Sequence, residues 1–154
     1  LGVVIYTAFL LGQAEGRDMW QSNLLPFQLF AQSMMVASGM FLIVNVFVPF
    51  SADLHTLLVG LFPASIAINL LLTLAGKFNS FASEVALLAH REMTHGRFRN
   101  HYWWGGITLG HVIPLALFFG FSTFALPVAV ACAVVGLFFY EYAFVMAPQH
   151  IPNS

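Results

Sequence analysis

A few residues of this chain set strongly hydrogen-bonding or ionisable side chains among apolar neighbours: Gln28, Gln32, Asn45, Asp53, His55, Asn69, His111 and Glu141. Such groups are expensive to bury in a hydrocarbon setting, so each needs either a bonding partner or a task. For Gln32, Asn45 and Asn69 the plain reading is a hydrogen bond across to a neighbouring helix. His111 stands three residues before Pro114. Its plain reading is a neutral imidazole donating to a carbonyl freed by the proline, and its functional reading is a quinone contact or a proton path. Glu141, in FFYEYAFVM, either reaches Arg97 or Arg99 at the interface or serves as a proton-path carboxylate. Asp53 and His55 lie at the outer mouth of their segment, where Asp53-x-His55 either caps a helix or meets a partner.

Other chemistries are disfavoured. Bis-histidine haem needs two imidazoles at one depth, and His55 near a span end does not match His111 near a span centre. His90, His95 and His101 are five and six residues apart, which does not put two imidazoles on one helical face, so they read as solvated interface residues. Cys132 is a lone cysteine in an apolar run and reads as a small buried residue. No nucleophile–base pair, phosphate-cradling glycine loop or metal-ligand motif is visible. With a net charge of −1 there is no basic footprint for nucleic acid.

The elements that must position these residues are membrane spans. Charged residues make up 7% of the chain, against about 25% in ordinary soluble domains. No Asp, Glu, Lys or Arg occurs from Met19 to Ala52, from Leu54 to Gly76, or from Asn100 to Tyr140. The expected fold is all-α, a polytopic transmembrane bundle with four full spans and a partial first helix. Residues 1–11 read as the end of a span whose upstream part lies outside this numbering. Full spans are expected at about 24–48, 54–74, 102–121 and 123–146. Pro26 suits the first turn of its helix and Pro49 closes it. Pro63 and Pro114 fall inside spans and should face protein, because lipid cannot satisfy the carbonyls they free. The short connection at Phe121–Thr123 makes the last two spans an antiparallel hairpin. Ala37, Ser38 and Gly39 favour close helix approach.

Residues 78–100 form an amphipathic connection at the interface. Phe78, Phe81, Val85, Leu88 and Ala89 recur at helical steps, and Gly96 ends the pattern. Every Lys and Arg (Arg17, Lys77, Arg91, Arg97, Arg99) lies in the connections on one side, which assigns that side and the C-terminus to the cytoplasm. Trp20, Tyr102, Trp103 and Trp104 at the span ends read as an aromatic belt.

The run YTAFLLGQAEGRDMWQSNLLPFQLF, the stretch from Trp104 to Pro114 with its Gly-His-Val-Ile-Pro, and the tail APQHIPNS resemble the NrfD/polysulfide-reductase membrane subunits over nearly the whole chain. In that family a Y-T-x-F-L-L run leads into a G-R-x-x-W loop and an L-L-P helix start. The resemblance implies an eight-helix subunit of two four-helix bundles, with this chain holding the end of the fourth helix and the fifth to eighth. It implies a prokaryotic cytoplasmic-membrane subunit without haem that exchanges electrons between menaquinone or ubiquinone and an iron–sulfur partner. That partner connects to a molybdopterin subunit or a multihaem cytochrome. The family's quinone sites lie largely in the first bundle, so this half is expected to contribute anchoring and a polar interior for protons. The residues proposed for a quinone or proton path are His111, Glu141, Gln32, Asn69, Asp53 and His55. Two rivals remain: half of a secondary transporter, which requires paired broken helices, and a purely structural membrane anchor.

Overall fold

In the computed structural model, which describes residues 2–14, 18–76, 83–120 and 125–152, the described residues are helical with no strand. Helix α1 is Gly2–Gly12, followed by a single 3-10 turn at Asp18–Gln21. Four long helices follow, with the short α4 (Glu84–Thr94) between the second and third of them: α2 (Leu25–Phe47), α3 (Ala52–Ala75), α5 (His101–Gly120) and α6 (Leu126–Gln149). All four are long and apolar enough to cross a membrane. The protein is a membrane-embedded helical bundle, and the expected spans fall within a few residues of these helices.

The buried faces follow helical periodicity. On α2 they are Leu25, Gln28, Ala31, Gln32, Met35, Ser38, Gly39 and Leu42, and on α6 small residues such as Ala129, Ala133, Gly136 and Ala143 recur. Small residues matter because lipid tails are as apolar as the helices, so spans associate by close packing. A Cβ on Gly39 would lie 2.9 Å from the Phe62 ring and 3.0 Å from Val130, which shows how tightly α2 meets α3 and α6. The tightest contact is between α5 and α6. Gly105 lies against Phe139, Gly106 against Tyr140 and Gly110 against the backbone of Gly136, an antiparallel register. That register supports the expected hairpin, although Phe121–Thr123 themselves lie outside the described residues.

One feature of the backbone is absent from the sequence reading. The first part of α5, His101–Val112, is a π-helix, and only Ile113–Gly120 is α-helical. The wider turn is visible in five-residue steps: Ile113 N–H donates to Thr108 O, and Thr108 Oγ1 donates to Trp103 O at 3.0 Å. Gly105, Gly106 and Gly110 lower the α-helical propensity of this stretch, and Pro114 withholds its N–H. Pro114 is buried, as expected, and Pro63 is half-buried within an unbroken α3.

Helix α4 covers Glu84–Thr94, shorter than the amphipathic stretch expected from Phe78; Phe78 and Phe81 lie outside the described residues. Ser83 caps it, accepting from Ala86 N–H at 3.2 Å, and the same hydroxyl donates to Asp18. At 11 residues it spans about 16 Å, too little to cross a bilayer. Its buried face is Ala86, Ala89 and Met93, whereas Leu88 is 48% exposed, so the apolar stripe is rotated from the expected one. Arg91, Arg97 and Arg99 stand exposed around α4 and the start of α5. They mark one end of the bundle, called here the arginine end, which also holds the start of α2 and the ends of α3 and α6. Arg17 and Lys77, the other two cations of the topology argument, lie outside the described residues.

Candidate functional site

A polar seam occupies the arginine-side half of the bundle, built from one or two residues of each long helix. On α3, Asn69 and Thr73 are one turn apart and share a buried face. On α2, Gln28 and Gln32 do the same, and on α6 Tyr140 and Glu141 are adjacent. His111 comes from the π-helical part of α5 and is 1% exposed.

Three bonded groups result. His111 Nδ1 lies 2.8 Å from Gly106 O, and His111 Nε2 lies 2.9 Å from Asn69 Nδ2. A carbonyl only accepts, so Nδ1 carries the proton. The neutral ring then presents a lone pair at Nε2, and the Asn69 amide donates to it. In this orientation Asn69 Oδ1 is buried with no partner. The second group is Gln32 Nε2 donating to Glu141 Oε1 at 2.8 Å. The third is the Gln28 amide, which donates to Thr73 Oγ1 at 3.0 Å and to Tyr140 Oη at 2.5 Å. Beside it the Tyr102 ring lies 6.1 Å from that of Tyr140, and Tyr102 Oη is also buried without a partner. A cavity with about 60 Å³ of room for water is lined in part by Gln28, Thr73, Tyr140, His90 and Met93. That volume accommodates a few water molecules and falls well short of the several hundred Å³ of a pocket for a quinone ring.

Four of the residues singled out from the sequence are therefore brought together in two pairs, Asn69 with His111 and Gln32 with Glu141. The partner of Glu141 is Gln32 and not Arg97 or Arg99, which are exposed ahead of α5. His111 makes a carbonyl bond as its plain reading required, although the carbonyl belongs to Gly106, one π-turn back. Asp53 and His55 are exposed at the opposite end and do not join the seam. The cap of α3 is Ser51, whose hydroxyl accepts from Leu54 N–H at 3.4 Å, and not Asp53. Asn45 does not bond across helices; its Oδ1 accepts from Phe50 N–H at 2.7 Å and closes the turn after Pro49.

Several surroundings differ from expectation. Tyr102 is 0% exposed and belongs to the interior, whereas Trp104 is 70% exposed. Trp20 and Trp103 are half-buried and donate from Nε1 to Phe144 O at 3.2 Å and to Thr94 O at 3.0 Å. His101 is not solvated but wedged among Phe98, Phe139 and Tyr142, and His90 is half-buried at the cavity wall. His95 is exposed, and Cys132 is half-buried instead of buried. The residues missed from sequence are Thr73, Tyr102 and Tyr140. Their signal was phase: Tyr140 falls on the face of α6 that carries Gly136 and Ala143. Among the described residues no three His, Cys, Asp or Glu side chains assemble as a metal site. No protein-family profile, curated protein or solved structure matches the chain.

Proposed function

We propose that this chain is a membrane-anchor subunit of a respiratory oxidoreductase complex that works with membrane quinone and an iron–sulfur partner, and that its own half of the subunit carries a proton route. The resemblance to NrfD/polysulfide-reductase subunits supports the complex, the cytoplasmic placement of the arginine end, and a molybdopterin or multihaem cytochrome subunit beyond the iron–sulfur partner. Quinone chemistry couples electron transfer to uptake or release of protons. The small interior cavity does not fit a quinone ring, so this reading assigns the seam to protons alone.

The observation that carries the proton route is the Asn69–His111 pair. With Nδ1–H held by Gly106 O, the imidazole has one site for an incoming proton, Nε2. Once protonated, Nε2 must donate. Asn69 supplies the acceptor by turning its amide over, and its Oδ1 is the atom left without a partner. The pair thus has a bonded arrangement for both charge states. Gln28, Thr73 and Tyr140 connect the same face of α3 to the water-sized cavity near the arginine end. Glu141, bonded to Gln32 one turn along α2 from Gln28, supplies a carboxylate beside this path. A transporter half is less well supported, because α3 passes through Pro63 as one continuous helix and gives no second broken span.

The test uses His111→Leu and Glu141→Gln variants assembled with their partner subunits. Loss of quinone-linked turnover and proton uptake with assembly intact is the expected result. Wild-type rates in both variants would make the residues structural, and isolation of the native protein without an iron–sulfur partner would remove the complex itself.

A further inference from the structure

On the outer face of the α5–α6 hairpin, at the arginine end, a groove of about 320 Å³ is lined by Asn100, His101, Trp104, Gly105, Leu109 and Phe139. Gly105 forms part of its lining: a Cβ there would meet the Phe139 side chain at 2.5 Å, so the missing side chain is what lets α5 lie this close to α6 beside the groove. The walls are apolar along the helix axis, with Leu109 four residues, about one turn, deeper than Gly105. At the mouth the chemistry changes. Arg97 and Arg99 immediately precede the groove and are exposed, and Asn100 and His101 form its rim. The His101 ring is clamped by Phe98, Phe139 and Tyr142 at centroid distances of 6.1, 5.9 and 5.3 Å, and its Nδ1 is buried beneath them with no hydrogen-bond partner. Trp104, 70% exposed one turn into the span, sets this mouth at the depth of lipid headgroups.

From this juxtaposition we infer a binding site for one anionic phospholipid, with an acyl chain lying in the Gly105–Leu109–Phe139 groove and the phosphate at Arg97 and Arg99. The occupant follows from charge complementarity. Two exposed arginines that form no ion pair among the described residues precede this apolar channel directly in the chain. The one neighbouring carboxylate, Glu92, accepts from the Arg97 backbone N–H at 3.1 Å. A phospholipid of negative charge satisfies both ends at once, while a neutral lipid leaves the cations unused. The site does not depend on the proposed redox function and is distinct from the interior seam.

The experiment is native mass spectrometry of the detergent-purified protein titrated with phosphatidylglycerol or with phosphatidylcholine of the same acyl chains. Each arginine near a charged headgroup contributes about fivefold, so phosphatidylglycerol should be retained roughly 30-fold better. The double variant R97Q/R99Q should lose that preference. Leu109→Trp, which fills the groove and leaves the arginines in place, should lose the retained lipid. Both variants face outward, and their thermal unfolding in detergent should match the parent, which separates lost binding from lost fold. Equal retention of the two lipids overturns the proposal, as does a preference that survives either variant. A photoreactive residue at position 104 in native membranes should yield a phospholipid adduct; an adduct to another polypeptide would make the groove a protein interface and also overturn it.

Discussion

The two halves of the bundle bury polar groups in opposite ways. Away from the arginine end, the core is Met35, Leu42, Leu58, Phe62, Ile66, Ala129, Val130 and Ala133. Its buried hydroxyls bond within their own helices: Ser38 Oγ donates to Met34 O at 2.6 Å and Ser65 Oγ to Phe62 O at 2.8 Å. At the arginine end the bonds run between helices, from α2 to α6, α2 to α3, and α3 to α5. A side chain satisfied by its own helix says nothing about its neighbours. One satisfied across helices holds two spans in register. The difference shows that polarity in this interior is concentrated where it crosses helices, and that the other half is a packed, dry clamp.

That contrast can be broken at several points. The largest effect is expected from Gly136→Val. Its new side chain would enter the backbone of α5 at Gly110, which cannot move like a side chain. A loss of about 3 kcal/mol, the upper part of the overpacking range, should appear in reversible unfolding in micelles. An unchanged stability would mean that α5 and α6 separate freely, and the hairpin register would be wrong.

Phe62→Ala probes the dry half. Phe62 is 0% exposed and packs against Phe118 at 5.9 Å. In water-soluble cores such a truncation costs about 3–5 kcal/mol, but part of that is transfer from water, which lipid does not supply. We expect about 2 kcal/mol, with the proposed quinone-linked turnover otherwise retained. A turnover defect out of proportion to the stability loss would show that the clamp is functional.

For the seam, a double-mutant cycle of Asn69→Leu and His111→Leu should give a coupling of about 1 kcal/mol, within the range of interhelical hydrogen bonds in membranes. Additive single effects would mean that the two side chains do not interact. The smallest effect belongs to Ser38→Ala, expected within about 0.5 kcal/mol because its bond stays inside α2. A loss as large as that of the Asn69–His111 pair would erase the distinction between the halves.

The spans were legible in the sequence because hydropathy is a local property: charge-free runs of the right length give Leu25–Phe47 and Ala52–Ala75 almost to the residue. The polar residues were legible for the same reason, since Asn69, His111, Gln32 and Glu141 stand out from what surrounds them. Tyr140 and Thr73 did not stand out. Tyrosine near a span end reads equally well as belt or as core, and only the phase of α6 against α5 places its hydroxyl on Gln28.

What the chain determined by itself is therefore the membrane-spanning all-α fold, the count of full spans, the presence of a helix too short to span between α3 and α5, and the single end that gathers Arg91, Arg97 and Arg99. Each follows from composition within one segment, where apolar length and cation placement act without reference to other segments. Which polar residues bond one another was decided only by the tertiary structure. Asn69 meets His111 because α5 opens into a π-helix and its glycines let it lie against α6. Glu141 meets Gln32 in place of an arginine because the phase of α6 turns it toward α2. Helix phase and approach are set by the packing of all four spans together, and no single segment encodes them.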